Sequence, residues 1–182
     1  MWFIKFNILP SKFWGQNINK VFLFISIFIF FVGIIIGQSF NDVQNFNSIE
    51  KVDGFIPKNK IELFSLIFEN NIIIYFLLIA GFITFSLSST FLLLYNGFIF
   101  GYCLNLISLN ELLIHFFPHA ILESFAYILA YYISLRISKI LYSYFMESHK
   151  KPLNFKYETI YIFIGVLTIF FSAIIESYVS IK

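Results

Sequence analysis

From Ile72 to Leu109 the chain carries no Lys, Arg, Asp, Glu or His. As one α-helix this run would extend about 57 Å, nearly twice a ~30 Å hydrocarbon core. A single span cannot hold it, so the chain must turn back. The most polar point is Thr84–Thr90, TFSLSST, whose hydroxyls can satisfy backbone groups freed at a tight turn. Residues 72–109 therefore read as a helical hairpin, one arm from Ile72 to about Leu87, the other from about Thr90 to Leu109. Composition agrees: 59% of the chain is hydrophobic and only 12% charged, too little charge to cover a soluble domain. The fold class that follows is an all-α integral membrane protein.

Three further runs complete the spans. Val21–Ile36 is apolar between Lys20 and Gln38; it is longer than a signal-peptide core and lacks a small-residue cleavage site, so it reads as an uncleaved first helix. A fourth helix runs from Pro118 to Leu135, with Pro118 at the first position, where its missing N–H is harmless. A fifth runs from about Thr159 to Val179. The whole of 1–182 is then one membrane domain of five transmembrane helices. Residues 1–20 mix aromatics with Lys5, Lys12 and Lys20 and suit the headgroup level. Residues 40–71 form the long polar loop, in which Ile61, Phe64, Ile67 and Phe68 recur at helical spacing. That spacing predicts a short amphipathic helix on the surface, with Asn70–Asn71 capping the span that follows.

Charge bias sets the expected orientation. With five spans and a cytoplasmic N-terminus, Lys5, Lys12, Lys20, Arg136, Lys139, Lys150, Lys151 and Lys156 lie inside. Lys51, Lys58, Lys60 and Lys182 lie outside, and so does the C-terminus. A location in the cell membrane with the lipid bilayer as solvent follows. The net charge of +2 and the lack of a basic cluster argue against nucleic acid.

The chemistry-bearing stretch is Pro118-His119-Ala120-Ile121-Leu122-Glu123. Ionisable groups at membrane depth are unfavourable by roughly 2.5–3.5 kcal/mol, so a pair of them invites explanation. On a helix starting at Pro118, Glu123 lies about 7 Å below the outer end. Glu176, near the outer end of the fifth helix, comes to a similar level. The expected cluster is therefore His119, Glu123 and Glu176, with a hydrogen bond from His119 to one of the carboxylates. A proton relay through His119 and Glu123 is the other reading of the pair, since histidine titrates near neutrality. Asn96 falls in the inner half of the third helix and outside this cluster. His115 extends the spacing to a three-member stripe, but Pro118 interrupts it and H-E-x-x-H is absent, so no metal is expected.

Gly33 with Gly37, and Gly97 with Gly101, form two GxxxG pairs, suited to close helix packing within the chain and leaving a homo-oligomer open. Cys103 stands in an apolar run as a small buried side chain. Ser86, Ser88, Ser89 and Ser124 lack a nucleophile context, and no Walker or dinucleotide pattern occurs. Neither catalytic residues nor a cofactor are expected.

These residues resemble the stage II sporulation protein M family. Pro118-His119-Ala120-Ile121-Leu122-Glu123 is similar to its PHG-x-x-E signature, with Ala120 in place of the usual glycine. Asn70-Asn71, Asn96-Gly97 with Gly101, and Ala173-Ile174-Ile175-Glu176 fall in matching order. The resemblance implies a multi-pass membrane component rather than an enzyme. Its namesake acts with peptidoglycan-cleaving partners in sporulation, and similar small members accompany circular-bacteriocin systems beside transport ATPases. The expected partners are accordingly a transport ATPase or a cell-wall hydrolase complex. The chain's compactness favours the branch of peptide maturation, export or immunity.

Overall fold

The computed structural model describes residues 11–40, 59–106, 108–146 and 155–180. Much of the expected segment 1–20 and of the loop 40–71 lies outside these described residues. The elements are α1 (Ser11–Ser39), α2 (Lys60–Ala80), a 3₁₀ turn (Gly81–Thr84), α3 (Leu87–Leu106), a helical turn α4 (Leu109–Glu111), a π-helical turn (Leu112–Phe116), α5 (Phe117–Met146) and α6 (Lys156–Ser180). Five segments among them are long and apolar enough to cross a membrane: Asn19–Ser39, Lys60–Thr84, Leu87–Leu106, Leu109–Met146 and Lys156–Val179.

Several boundaries differ from the expected ones, each for a local reason. The second span starts at Lys60 rather than Ile72. Asn59 caps it, its side chain accepting the Glu62 amide at 2.9 Å. No Gly or Pro stands between Pro57 and Gly81 to break the helix. The expected surface helix is thus the first turns of α2, and its Phe64 and Phe68 pack edge-on against Phe170 of α6. Asn70 and Asn71 consequently fall inside the span, not at its cap. The first helix likewise begins at Ser11, inside the segment expected to lie at the surface.

The hairpin turns at Phe85 and Ser86, both in the left-handed region at φ 52° and 66°. Left-handed backbone disfavours non-glycine residues by roughly 1–2 kcal/mol each. Hydrogen bonds offset it: Ser86 N–H donates to Gly81 O at 2.8 Å and Phe85 N–H to Phe82 O at 3.1 Å. Ser86 Oγ lies 2.9 Å from both Ser134 and Ser138 Oγ, and Ser89 Oγ donates to Leu78 O at 2.6 Å. These hydroxyls pin the turn to α5.

The fourth span is the largest departure. The sequence pattern places it at Pro118–Leu135, whereas it runs from Leu109 to Met146. Ser108 and Glu111 form a reciprocal capping box at its start. Pro118 then sits within the helix, and its missing N–H leaves the Ile114 carbonyl without its usual partner. The π turn just before it absorbs the defect, with Phe117 N–H bonding to Leu112 O. Helix extension also changes depth. Counted from Leu109, Glu123 lies about 21 Å along the axis rather than about 7 Å.

α5 is the central element, packing on α1, α2, α3 and α6. Its buried face carries small residues, Ala120, Ala126, Ala130, Ser134 and Ser138, which let the neighbours approach. α1 and α3 pack parallel along their glycine pairs. Gly33 lies against Gly97, and one turn further Gly37 is buried against the Phe98 carbonyl while Gly101 lies against Ile34. A methyl on Gly37 would overlap that carbonyl and lie 2.8 Å from the Tyr102 nitrogen. A methyl on Gly101 would overlap the Ile34 carbonyl and lie 2.8 Å from its Cα. Gly33, Gly37, Gly97 and Gly101 therefore meet inside one chain and are unavailable to a second copy. Tyr75, Leu78, Leu93, Ile133 and Ile169 fill the core.

Candidate functional site

Three helices converge on Glu123. Asn71 of α2 is buried and donates its amide Nδ2 to Glu123 Oε1. Ser172 of α6 donates to the same oxygen at 3.2 Å and to the His119 carbonyl at 3.0 Å. Tyr127, one turn along α5, donates its hydroxyl to Asn71 Oδ1 at 3.1 Å. Asn70 Nδ2 reaches the same Asn71 oxygen at 3.3 Å. Asn71 is the hub, since it donates to the carboxylate and accepts from the phenol. All of this lies at mid-helix depth on α2, where the backbone has no spare groups and side chains must satisfy one another.

His119 stands beside the network without joining it. Its Nδ1 is buried and has no hydrogen-bond partner. The expected bond from His119 to Glu123 or Glu176 is absent among the described residues. The reason is helical direction: the ring packs edge-on against Phe116, at 5.8 Å between centroids, rather than toward the next turn. Glu176 lies one turn past Ser172 on α6. No hydrogen bond joins it to Glu123 or His119 among the described residues. Pro118 is exposed and shapes the preceding turn.

A cavity of 260 Å³ opens beside the carboxylate, with Asn71, Asn96, His119, Glu123 and Tyr127 on its walls. Asn96 therefore belongs to the site, contrary to the expectation that placed it deeper. α3 starts at Leu87, which brings Asn96 to mid-helix, and the depth of Glu123 increases by two turns or more. The two displacements have opposite signs, and together they hide the meeting from a reading of the sequence. The four glycines of the GxxxG pairs stand apart from this site: Gly33 and Gly37 of α1 face Gly97 and Gly101 of α3 instead of the cavity.

A second polar contact binds α5 to α6 nearer the Met146 end. Arg136 Nε and Nη2 both reach Glu158 Oε1 at 2.7 Å, and Nη1 donates to Tyr132 Oη at 3.2 Å. Tyr132 and Tyr161 flank the guanidinium at 5.6 and 5.9 Å from their centroids. Glu158 is 1% exposed and its Oε2 has no partner.

Residue-level reasoning missed Asn71, Ser172 and Tyr127 as site members. The signal for Asn71 was present: an unbroken helix from Lys60 puts it about three turns inside the span.

Five helices long and apolar enough to cross a membrane, packed around a polar cluster at mid-helix, define an all-helical protein of membrane-like architecture. Within that class, the chain belongs to the stage II sporulation protein M family, matched over residues 21–181. It is similar to an uncharacterized protein of Methanocaldococcus jannaschii, 31% identical over 175 residues covering 90% of this chain and 96% of the relative. No solved structure matches the chain.

Proposed function

We propose that this chain is a non-catalytic multi-pass subunit of the cell membrane that supports another machine in the envelope. Its N-terminus would be cytoplasmic and its C-terminus outside, as the lysine and arginine bias favours. The observation carrying this reading is the tie at Glu123: one carboxylate oxygen takes hydrogen bonds from α2 and α6 while its own backbone belongs to α5. That arrangement fixes three helices relative to one another, which is what a docking platform needs. Peptide maturation, export or immunity is the preferred setting, with a transport ATPase as partner. A peptidoglycan-remodelling complex of the sporulation type is the alternative.

Glu123→Gln should lower recovery of the assembled complex, or secretion of its peptide, several-fold, while a reporter fused at Lys182 still reports outside. Unchanged output from that variant, or a cytoplasmic reporter, would count against the reading. A proton-coupled transporter is the second reading, supported by His119 and Glu123 sharing one cavity while His119 Nδ1 has no partner. It requires that the purified chain alone, in vesicles, dissipate a pH gradient; failure to do so leaves the platform.

A further inference from the structure

The cavity beside Glu123 abuts a second space. An apolar groove of 590 Å³ lies between α1 and α5, with Leu23, Ile27, Phe31, Ile121, Phe125 and Leu129 among its walls. Groove and cavity share Phe30, Phe100 and Ser124 as their common boundary. Ser124 is the small residue of the three, so the boundary is thinnest there. A wholly apolar trough beside a compact polar chamber is the shape of an amphiphile, and the groove falls in the ~300–1,000 Å³ range of ligand sites.

The chamber's hydrogen-bonding balance tells what kind of head would fit. Both hydrogen bonds to Glu123 end on Oε1, leaving Oε2 without one on the cavity wall. Asn96 uses its Nδ2 on the Leu92 carbonyl at 2.8 Å. A carbonyl only accepts, so this fixes the amide's orientation and leaves Oδ1 free. No Lys or Arg is among the residues lining the chamber, and His119, its one ionisable base, turns its ring edge-on to Phe116. Glu123 Oε2 and Asn96 Oδ1 are thus two acceptors without a donor.

We propose that groove and chamber together form a binding site for an alkylamine-type amphiphile. The protonated amine meets Glu123 Oε2 and Asn96 Oδ1, and the hydrocarbon tail lies along α1 and α5. An ethanolamine phospholipid fits less well, because its phosphate would face the Glu123 carboxylate. The site stands on the cavity itself and not on which machine the subunit serves.

The test uses the purified full-length chain in uncharged maltoside micelles, with thermal unfolding followed against dodecylamine, dodecanol and dodecanoate. Dodecylamine should raise the midpoint saturably, at concentrations about tenfold below dodecanol, as expected for a charge-assisted hydrogen bond. Dodecanoate should give no saturable rise. This comparison is made on the unaltered chain, so it does not depend on any variant folding. Glu123→Gln should abolish the preference for amine over alcohol, and Ile128→Trp, which fills the groove, should weaken both. Equal responses to the three amphiphiles, or an amine preference intact in the Gln variant, would overturn the proposal.

Discussion

Between α1 and α3 the contact is backbone on backbone, with Gly33, Gly37, Gly97 and Gly101 set against the carbonyls of Leu94, Phe98, Phe30 and Ile34 in turn. Among α2, α5 and α6 an apolar core is tied together by side-chain hydrogen bonds, at Asn71, Glu123 and Ser172, and by the Arg136–Glu158 ion pair. In a bilayer, lipid tails are as apolar as leucine, so burial of apolar surface would not by itself drive such helices together. One half of the bundle relies on shape, the other on polar groups that have nowhere else to go. The halves should therefore fail differently. Shape fails by collision when a side chain is added, and polar ties fail by orphaning when one is removed.

The largest effect should come from the ion pair. Arg136→Met leaves the Glu158 carboxylate, 1% exposed, without its cation. Breaking a buried pair from one side is destabilising by about 3–5 kcal/mol, whereas replacing both partners is often close to neutral. Unfolding of the single variant in detergent should show that loss, and adding Glu158→Leu should restore most of it. If the double variant is as weak as the single one, packing rather than charge holds this end.

Next comes the glycine side. Gly101→Ala inserts a methyl into the Ile34 backbone, which is rigid on both helices. Overpacking of this kind costs about 1–3 kcal/mol. Ile35→Ala, next to Ile34 on an exposed face of α1, should change stability by less than about 0.5 kcal/mol. A Gly101→Ala chain as stable as the parent would mean that α1 and α3 slide freely, and the division between the halves would dissolve.

The same division governs what can be seen without coordinates. The hairpin over 72–109 follows from length alone, because a charge-free run of that length exceeds the bilayer whatever its side chains do. GxxxG pairs are local patterns and advertise themselves in the same way. Asn71, Ser172 and Tyr127 do not, since each is an ordinary polar residue until helix register brings it to Glu123. Register depends on where α2 and α5 begin. Pro118 reads as a start because an isolated helix would begin there, but neighbouring helices and a π turn let the span run through it. Glu176 falls in the expected neighbourhood because α6 has no such irregularity. What it lacks among the described residues is the hydrogen bond to Glu123 or His119.

The smallest expected effect tests whether a lone polar tie carries weight outside a network. Tyr75 is fully buried, and its hydroxyl donates to the carbonyls of Ile162 at 3.2 Å and Tyr161 at 3.4 Å on α6. Both carbonyls sit in a helix interior and have ladder partners already, so Tyr75→Phe orphans nothing. The ring stays packed over Gly165, which has room for it only because it lacks a side chain. Stability should therefore fall by only about 0.5–1 kcal/mol, close to the average for cross-helix hydrogen bonds in lipid. Asn71→Leu removes a bond of similar kind but leaves Glu123 Oε1 with Ser172 alone and the Tyr127 hydroxyl without its acceptor, so it should be clearly worse in the same unfolding measurement. Equal losses for the two would show that connectivity adds nothing, and that the polar half is a sum of independent bonds.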